Sequence, residues 1–373
     1  KKDKQALRQE LEACLSEPGE RCQDPIHGTG WRAALNTFKD RELFRVDMRH
    51  ILGYTTAFGD FSQELTDLAE VLVQTGARLC DQELAQIYGA PVQENGQGCP
   101  LSICALGKCG GAELGFASDI ELMFIYSGKG QTSGPKVITS AEYFEKLVQT
   151  FLGAVRARRE GIFHIDLQLR PYGKAGSMAV SLAAFEHYFH PQGPAWGYER
   201  QALVKLRPIA GDEELGKQIQ ALRDAFVYTG EPFDAKAMRA MRERQIRHLV
   251  TGGTFNAKYS PGGLLDVEYL VQGLQITHGH KDAELRQTNT RAALAALAKH
   301  AILSQEEYDR LRRAHTFLRW LIDSLRVVRG NARDLTVPPF GSVEFEYLTR
   351  RLHYGKDIER LRDELQRFTQ DVL

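Results

Sequence analysis

Leu106-Gly-Lys-Cys-Gly-Gly-Ala-Glu-Leu-Gly-Phe-Ala-Ser-Asp-Ile-Glu-Leu-Met-Phe-Ile-Tyr126 is a glycine-rich turn followed by an apolar run that opens on two acids. The run Asp119–Tyr126 predicts a strand. Asp119 and Glu121 are two residues apart on it, so they project from one face with Cα atoms about 6.5–7 Å apart. Ile120, Leu122 and Phe124 point the other way. A second strand is expected at 162–170, where Phe163, Ile165, Leu167 and Leu169 alternate with His164, Asp166, Gln168 and Arg170 before Pro171 ends it. If the two strands are neighbours, Asp119, Glu121 and Asp166 converge. Two like charges about 4 Å apart repel by about 4 kcal/mol at an effective dielectric of about 20, so three such acids call for protons or cations. An all-oxygen donor set suits magnesium. Two ions about 3.5–4 Å apart would clamp the attacking and leaving oxygens of a phosphoryl group. Solvated strand acids would account equally well for Asp119 and Glu121 taken alone.

The turn ahead of the strand carries Gly107, Gly110 and Gly111. Bare backbone there is expected to let N–H groups approach a phosphate, with Lys108 or Ser118 steadying a triphosphate. It is not a Walker A loop, because Cys109 stands where Ser or Thr should follow Gly107-Lys108, and it is not G-x-G-x-x-G. By itself an ordinary tight turn explains it. Arg170, on the polar face of Asp166, and Lys205 and Arg207, on a predicted strand Leu203–Arg207 ended by Pro208, form a basic complement for phosphate oxygens. Salt bridging at a sheet edge is the competing explanation. His187/His190 and His278/His280 lack a metal-ligand frame. Arg239, Arg242, Arg244 and Arg247 read as a solvated helix face. Asp266 and Glu268 follow Gly262-Gly263, where acids suit a helix start.

Around this centre, residues 1–80 read as helical, and long amphipathic segments return near 214–228, 235–250, 264–278, 290–300, 305–329 and 356–372. The expected fold class is α+β. An N-terminal helical segment (1–85) and a C-terminal helical bundle (216–373) flank a catalytic domain with a small mixed sheet (86–215). The chain has 373 residues, 43% hydrophobic and 26% charged, with zero formal net charge. That balance suits a soluble globular protein and gives no support to a nucleic-acid partner. No membrane span or signal peptide is expected. The first residue is not Met, which suggests an excised fragment. Cys14, Cys22, Cys80, Cys99, Cys104 and Cys109 form no C-x-x-C pair, and reduced thiols in a cytoplasmic protein are expected.

The quoted stretch resembles the signature of the glutamine synthetase adenylyltransferase/adenylyl-removing enzyme family, within the DNA polymerase β-like nucleotidyltransferase superfamily. The similarity continues through Asp166-Leu-Gln-Leu-Arg-Pro-Tyr-Gly173, Ser181-Leu-Ala-Ala-Phe-Glu-His-Tyr188, Glu199-Arg-Gln-Ala-Leu-Val-Lys-Leu-Arg-Pro208 and Gly262-Gly-Leu-Leu-Asp-Val-Glu-Tyr-Leu-Val-Gln272. The lead-in Phe38-Lys-Asp-Arg-Glu-Leu-Phe-Arg45 also fits. The resemblance implies a polymerase β-like core, with Asp119 and Glu121 as the metal-binding pair, Asp166 as the third carboxylate, and Gly110 and Gly111 as the nucleotide-binding turn. Glu121 stands where the family usually has a second Asp, and Cys109 where it usually has Leu.

The resemblance further implies ATP as substrate, two Mg2+ ions, and AMP transfer to a tyrosine of glutamine synthetase in the control of nitrogen assimilation, with the PII signal protein as a further partner. Family members are typically tandem proteins whose other half removes the adenylyl group by phosphorolysis. One Gly-Gly…Asp-x-Glu set is present here, so one half or a stand-alone relative is expected, in either direction. A regulatory module with an inactive site is the remaining alternative.

Overall fold

A computed structural model describes residues 1–16, 30–55, 57–157, 163–330 and 333–373. In chain order the elements are α1 (Lys4–Ser16), α2 (Trp31–Ile51), α3 (Asp60–Tyr88), β1 (Pro91–Gln93), β2 (Leu101–Ala105), α4 (Gly107–Gly110), β3 (Ile120–Tyr126), β4 (Gly130–Thr132), α5 (Ser140–Ala154), β5 (Ile165–Asp166), β6 (Ala179–Ser181), α6 (Leu182–Tyr188), α7 (Glu199–Leu203) and β7 (Arg207–Gly211). Then come α8 (Glu213–Val227), α9 (Ala235–Leu249), α10 (Leu264–His278), α11 (Thr290–Lys299), α12 (Gln305–Arg329), α13 (Val343–Arg351) and α14 (Ile358–Val372). The α+β class holds. The chain divides into two compact units, Lys1–Ala195 with Lys205–Phe226, and Trp196–Val204 with Val227–Leu373.

The first unit is built on a mixed sheet of order β5-β3-β2-β7, with β6 also on β3. β3 runs antiparallel to β2 and parallel to β5 and β6. From Leu122 to Tyr126 every residue of β3 is buried, so this central strand is covered on both faces beyond its first acid. Leu7 and Leu11 of α1, Phe38 of α2, Leu68 and Leu72 of α3, Phe124 of β3 and Phe151 of α5 belong to one core. The stretch expected as a separate N-terminal helical segment is thus one layer of the sheet's own core. Gly76 makes this closeness workable, because a Cβ there would stand 3.2 Å from Phe151 of α5. α5 begins with a capping box in which Thr139 and Glu142 satisfy each other's backbone N–H, a device contributing about 1 kcal/mol.

Two expected strands differ. The one at 162–170 shrinks to Ile165–Asp166, and Ile162 lies outside the described residues. Asp166 captures the Gln168 N–H at 2.8 Å. Arg170 then gathers the carbonyls of Leu167 and Gly176 at 2.7 and 3.1 Å. Together they curl the chain off the sheet, and Leu169 is exposed instead of filling the core. The strand expected over Leu203–Arg207 is instead the end of α7, then a turn, then β7 from Arg207 to Gly211. Pro208 sits inside β7 because β7 is the sheet's edge, where a missing N–H costs no ladder bond.

The second unit is helical around its own core, with Leu264 and Val267 of α10, Leu294 of α11, Leu318 and Leu321 of α12, Phe345 of α13 and Phe368 of α14. Arg242 of α9 is buried and bonds Asp266 at 2.7 Å, and Asp266 also accepts from the Gly262 N–H. That accounts structurally for one member of the arginine run and for the acid at the α10 start. Among the described residues no helix is long and apolar enough to cross a membrane. Cys80, Cys99, Cys104 and Cys109 are free and buried. Cys14 is disulfide-bonded, contrary to the expectation of reduced thiols throughout, and Cys22 lies outside the described residues.

Candidate active site

Between β2 and β3 the chain must reverse in a crowded space. Gly107 opens the turn at φ +50°, a region that suits glycine. The Glu121 carboxylate lies over it, so a Cβ on Gly107 would collide with Glu121 Oε2. Leu106 N–H donates to the Glu121 carbonyl at 2.9 Å, tying the turn to β3 by the backbone as well. A Cβ on Gly110 would collide with the Lys205 carbonyl oxygen. The N–H groups of Gly110 and Gly111 donate to Leu106 O at 2.8 Å and Gly107 O at 3.1 Å. Those two glycines therefore serve close packing, and their amides are committed inside the turn. The same amides are those expected to face a phosphate. Lys108 is half-buried in the same turn.

Asp119 follows a tight loop. The buried Ser118 accepts from the Gly115 N–H at 3.0 Å and holds the loop closed, so Ser118 shapes the approach to Asp119. β3 then runs parallel to β5 with Ile120 opposite Ile165 and Glu121 opposite Asp166. Register partners on adjacent strands lie about 4.8 Å apart. Asp119 is two residues before Glu121 and shares its face. All three acids thus come to one end of β3. Asp119 is exposed, while Glu121 and Asp166 are half-buried. Their oxygens are not drawn to a point: Asp166 holds Gln168, and Glu121 covers Gly107. Among the described residues no three Asp, Glu, His or Cys side chains form a metal cluster. The residues fit a hard cation by donor type and by shared edge.

This edge is bordered by strained backbone. Ala112, Ala117, Phe163 and Tyr172 all have φ between 53° and 60°. Each such non-glycine residue costs about 1–3 kcal/mol and persists only where its surroundings hold it.

The basic residues go elsewhere. Arg170 braces its own loop, as above. Lys205 is buried against Glu113 as an ion pair. Arg207 donates to the carbonyls of Gly110 at 2.9 Å and Cys109 at 3.2 Å, and pairs with Glu70 of α3 at 2.5 Å. Glu70 also binds Lys4 of α1. Arg170, Lys205 and Arg207, expected as phosphate contacts, are here engaged with protein carbonyls and carboxylates. The residues missed in the sequence are Glu70 and Glu113. The available signal was an acid inside an apolar helical run, Leu68-Ala-Glu-Val-Leu-Val73. Cys109, packed at the centre of the turn, has its thiol pushed up to about 12 by burial, so it is a packing residue and not a nucleophile.

Residues 1–222 match the family model described as glutamate-ammonia ligase adenylyltransferase. The chain belongs to that family. Residues 236–373 match a second model, described as GlnD PII-uridylyltransferase. Among curated relatives, the bifunctional glutamine synthetase adenylyltransferase/adenylyl-removing enzyme of Xanthomonas oryzae pv. oryzae is 33% identical over 82% of this chain and 33% of its own length. The enzyme of the same description from Stenotrophomonas maltophilia is 33% identical over 82% of this chain and 33% of its own. That from Pseudomonas aeruginosa is 31% identical over 84% and 32%. The chain thus spans about a third of the length of the curated relatives it matches.

Proposed function

We propose that this chain transfers AMP from ATP to a tyrosine hydroxyl of glutamine synthetase with the help of Mg2+, on a polymerase β-like nucleotidyltransferase core. The observation that carries the reading is the parallel register of Glu121 with Asp166, with Asp119 on the same face, in a chain of the adenylyltransferase family.

Asp119 and Glu121 would hold Mg2+, with Asp166 completing the site. The bound cation supplies charge stabilisation at the phosphoryl oxygens. A tyrosine hydroxyl has an ordinary pKa near 10, so its proton must be taken as the oxygen attacks. Asp166, whose strand is pinned beside β3, is the carboxylate proposed to take it. The tyrosine oxygen forms a bond to the α-phosphorus, the bond to the β-phosphate oxygen breaks, and pyrophosphate leaves with that electron pair. Lys108, on the turn, and Ser118, through the loop it closes, are proposed to steady the nucleotide. Gly110 and Gly111 contribute by letting the turn pack tightly.

The printed names of the relatives carry both adenylyl transfer and adenylyl removal. In the second reading a phosphate oxygen forms a bond to the phosphorus of adenylyl-tyrosine and the bond to the tyrosine oxygen breaks. The tyrosine oxygen leaves with that electron pair and takes a proton, and the AMP departs joined to phosphate as ADP. The match of residues 236–373 to the PII-uridylyltransferase model supports PII signal protein as a partner of the helical unit. The test is to incubate the chain with ATP, Mg2+ and unmodified glutamine synthetase, and in parallel with phosphate and the adenylylated form. A gain of one AMP mass on the unmodified protein is expected. Loss of one AMP from the modified protein, with ADP released, would assign the removing direction. No change in either arm, with PII present or absent, would overturn both.

A further inference from the structure

We propose that Arg207 and Glu70 are positioning residues for this nucleotidyl transfer, a fixed brace that holds the α4 turn against Glu121 from the side away from the acids. The inference rests on the proposed function for its kinetic consequence, but its structural half stands by itself.

α4 is a single helical turn, too short to be stable alone. Its last carbonyls, those of Cys109 and Gly110, are both taken by the Arg207 guanidinium, through Nη2 and Nε. The Cys109 carbonyl also accepts from the Ala112 N–H at 3.1 Å, so the guanidinium adds a second bond there, and such a cation at a helix C-terminus suits the local dipole. The same guanidinium is locked by Glu70, a buried carboxylate on the 29-residue helix α3. Glu70 splits its two oxygens, Oε1 to Arg207 and Oε2 to Lys4 of α1. At its other end, Gly107 of the same turn sits directly beneath the Glu121 carboxylate. A displacement of α4 therefore becomes a displacement of Glu121. A helix outside the sheet thus sets the height of a carboxylate at one end of β3.

The brace predicts a kinetic signature distinct from that of a phosphate ligand. Arg207→Gln in the full chain should lower kcat by about 10- to 100-fold, the range for positioning groups that support a metal site, with KM for ATP changed less than about twofold. Glu70→Gln should lower kcat less, by about fivefold on the same reasoning, and add little when combined with Arg207→Gln, since both cut one chain of contacts. Arg207→Lys, which keeps the charge but loses the fork, should recover part of the loss. A second readout needs no activity: hydrogen exchange of the Gly110 and Gly111 amides should accelerate at least tenfold in Arg207→Gln while the β3 amides stay protected. If wild type transfers no AMP, the functional reading fails and the exchange result alone decides the brace. If wild type is active and Arg207→Gln raises KM with kcat intact, Arg207 is a phosphate ligand and the brace is overturned. Unchanged exchange at α4, or fully multiplicative effects of the two substitutions, would also overturn it. Should Arg207→Gln fail to fold, Glu70→Gln and Arg207→Lys carry the same comparison.

Discussion

The acid edge of β3 and the charged layer behind α4 hold residues of the same kinds and treat them in opposite ways. Behind the turn, Lys205 is buried against Glu113, and the half-buried Arg207 pairs with the buried Glu70 and bonds two carbonyls. Their charge is matched locally. At the edge, Asp119 is exposed and Glu121 and Asp166 stand side by side on adjacent strands with like charge. A buried charge must be paired to be tolerated, whereas adjacent acids at an accessible edge are a cost that a cation would relieve. The comparison separates opposite charges paired across the fold from like charges brought together at one end of β3.

The largest effect should come from crossing that divide. Asp119→Asn and Asp166→Asn should each lower AMP transfer by about a thousandfold or more, since charge stabilisation by a bound metal is worth several kcal/mol and each 1.4 kcal/mol is tenfold. Their melting temperatures should hold or rise slightly, because repulsion is removed. Lys205→Met should do the reverse. Breaking one side of a buried pair costs about 3–5 kcal/mol, or on the order of 10 °C in a unit of this size, and pairing it with Glu113→Leu should restore much of the stability. Assay and calorimetry on the same four proteins decide the matter. A stable Lys205→Met, or an Asp119→Asn that melts early, would dissolve the distinction.

The acids' edge was legible in the sequence because it depends on local periodicity. Asp119 and Glu121 are two apart on a strand, and the apolar run that follows them fixes its burial. The longer helices were legible for the same reason, whereas the short α4, α6 and α7 and the nine-residue α13 were not. What lay hidden was the destination of the cations. Lys205 meets Glu113 across 92 residues and Arg207 meets Glu70 across 137, and no spacing rule reaches that far. The second strand was overestimated because alternation continues to Leu169, while the Asp166 side chain diverts the backbone at Gln168. Pro208 reads as a stop in the sequence because its place on an edge strand depends on the sheet order.

A smaller effect, lying between the two regions, should come from Gly107→Ala. The left-handed backbone costs an alanine about 1 kcal/mol, and the atom its Cβ meets belongs to the movable end of Glu121. Stability should therefore fall only modestly in a urea titration, by about 1–2 kcal/mol. Activity should fall further, by at least tenfold, because the displaced group is one of the three acids. Equal losses in both measurements would make Gly107 a purely structural glycine.

The smallest expected effect concerns where the acid edge stops. Period-two alternation puts Leu167 and Leu169 on the same buried face, and the structure separates them: Leu167 is 8% exposed and Leu169 38%. Leu169→Gln should then change stability by no more than about 0.5 kcal/mol, as surface substitutions do. Leu167→Gln should cost about 2 kcal/mol or more, through an unpaired amide in the core. Neither side chain is proposed to touch nucleotide, so transfer by the folded Leu169→Gln protein should match wild type. The discriminating measurement is the difference between the two urea midpoints. Similar, large losses at both positions would mean that the strand continues past Asp166 and that the turn at Gln168 is not what ends it. The loop braced by Arg170 would then no longer account for how Asp166 reaches the edge of β3.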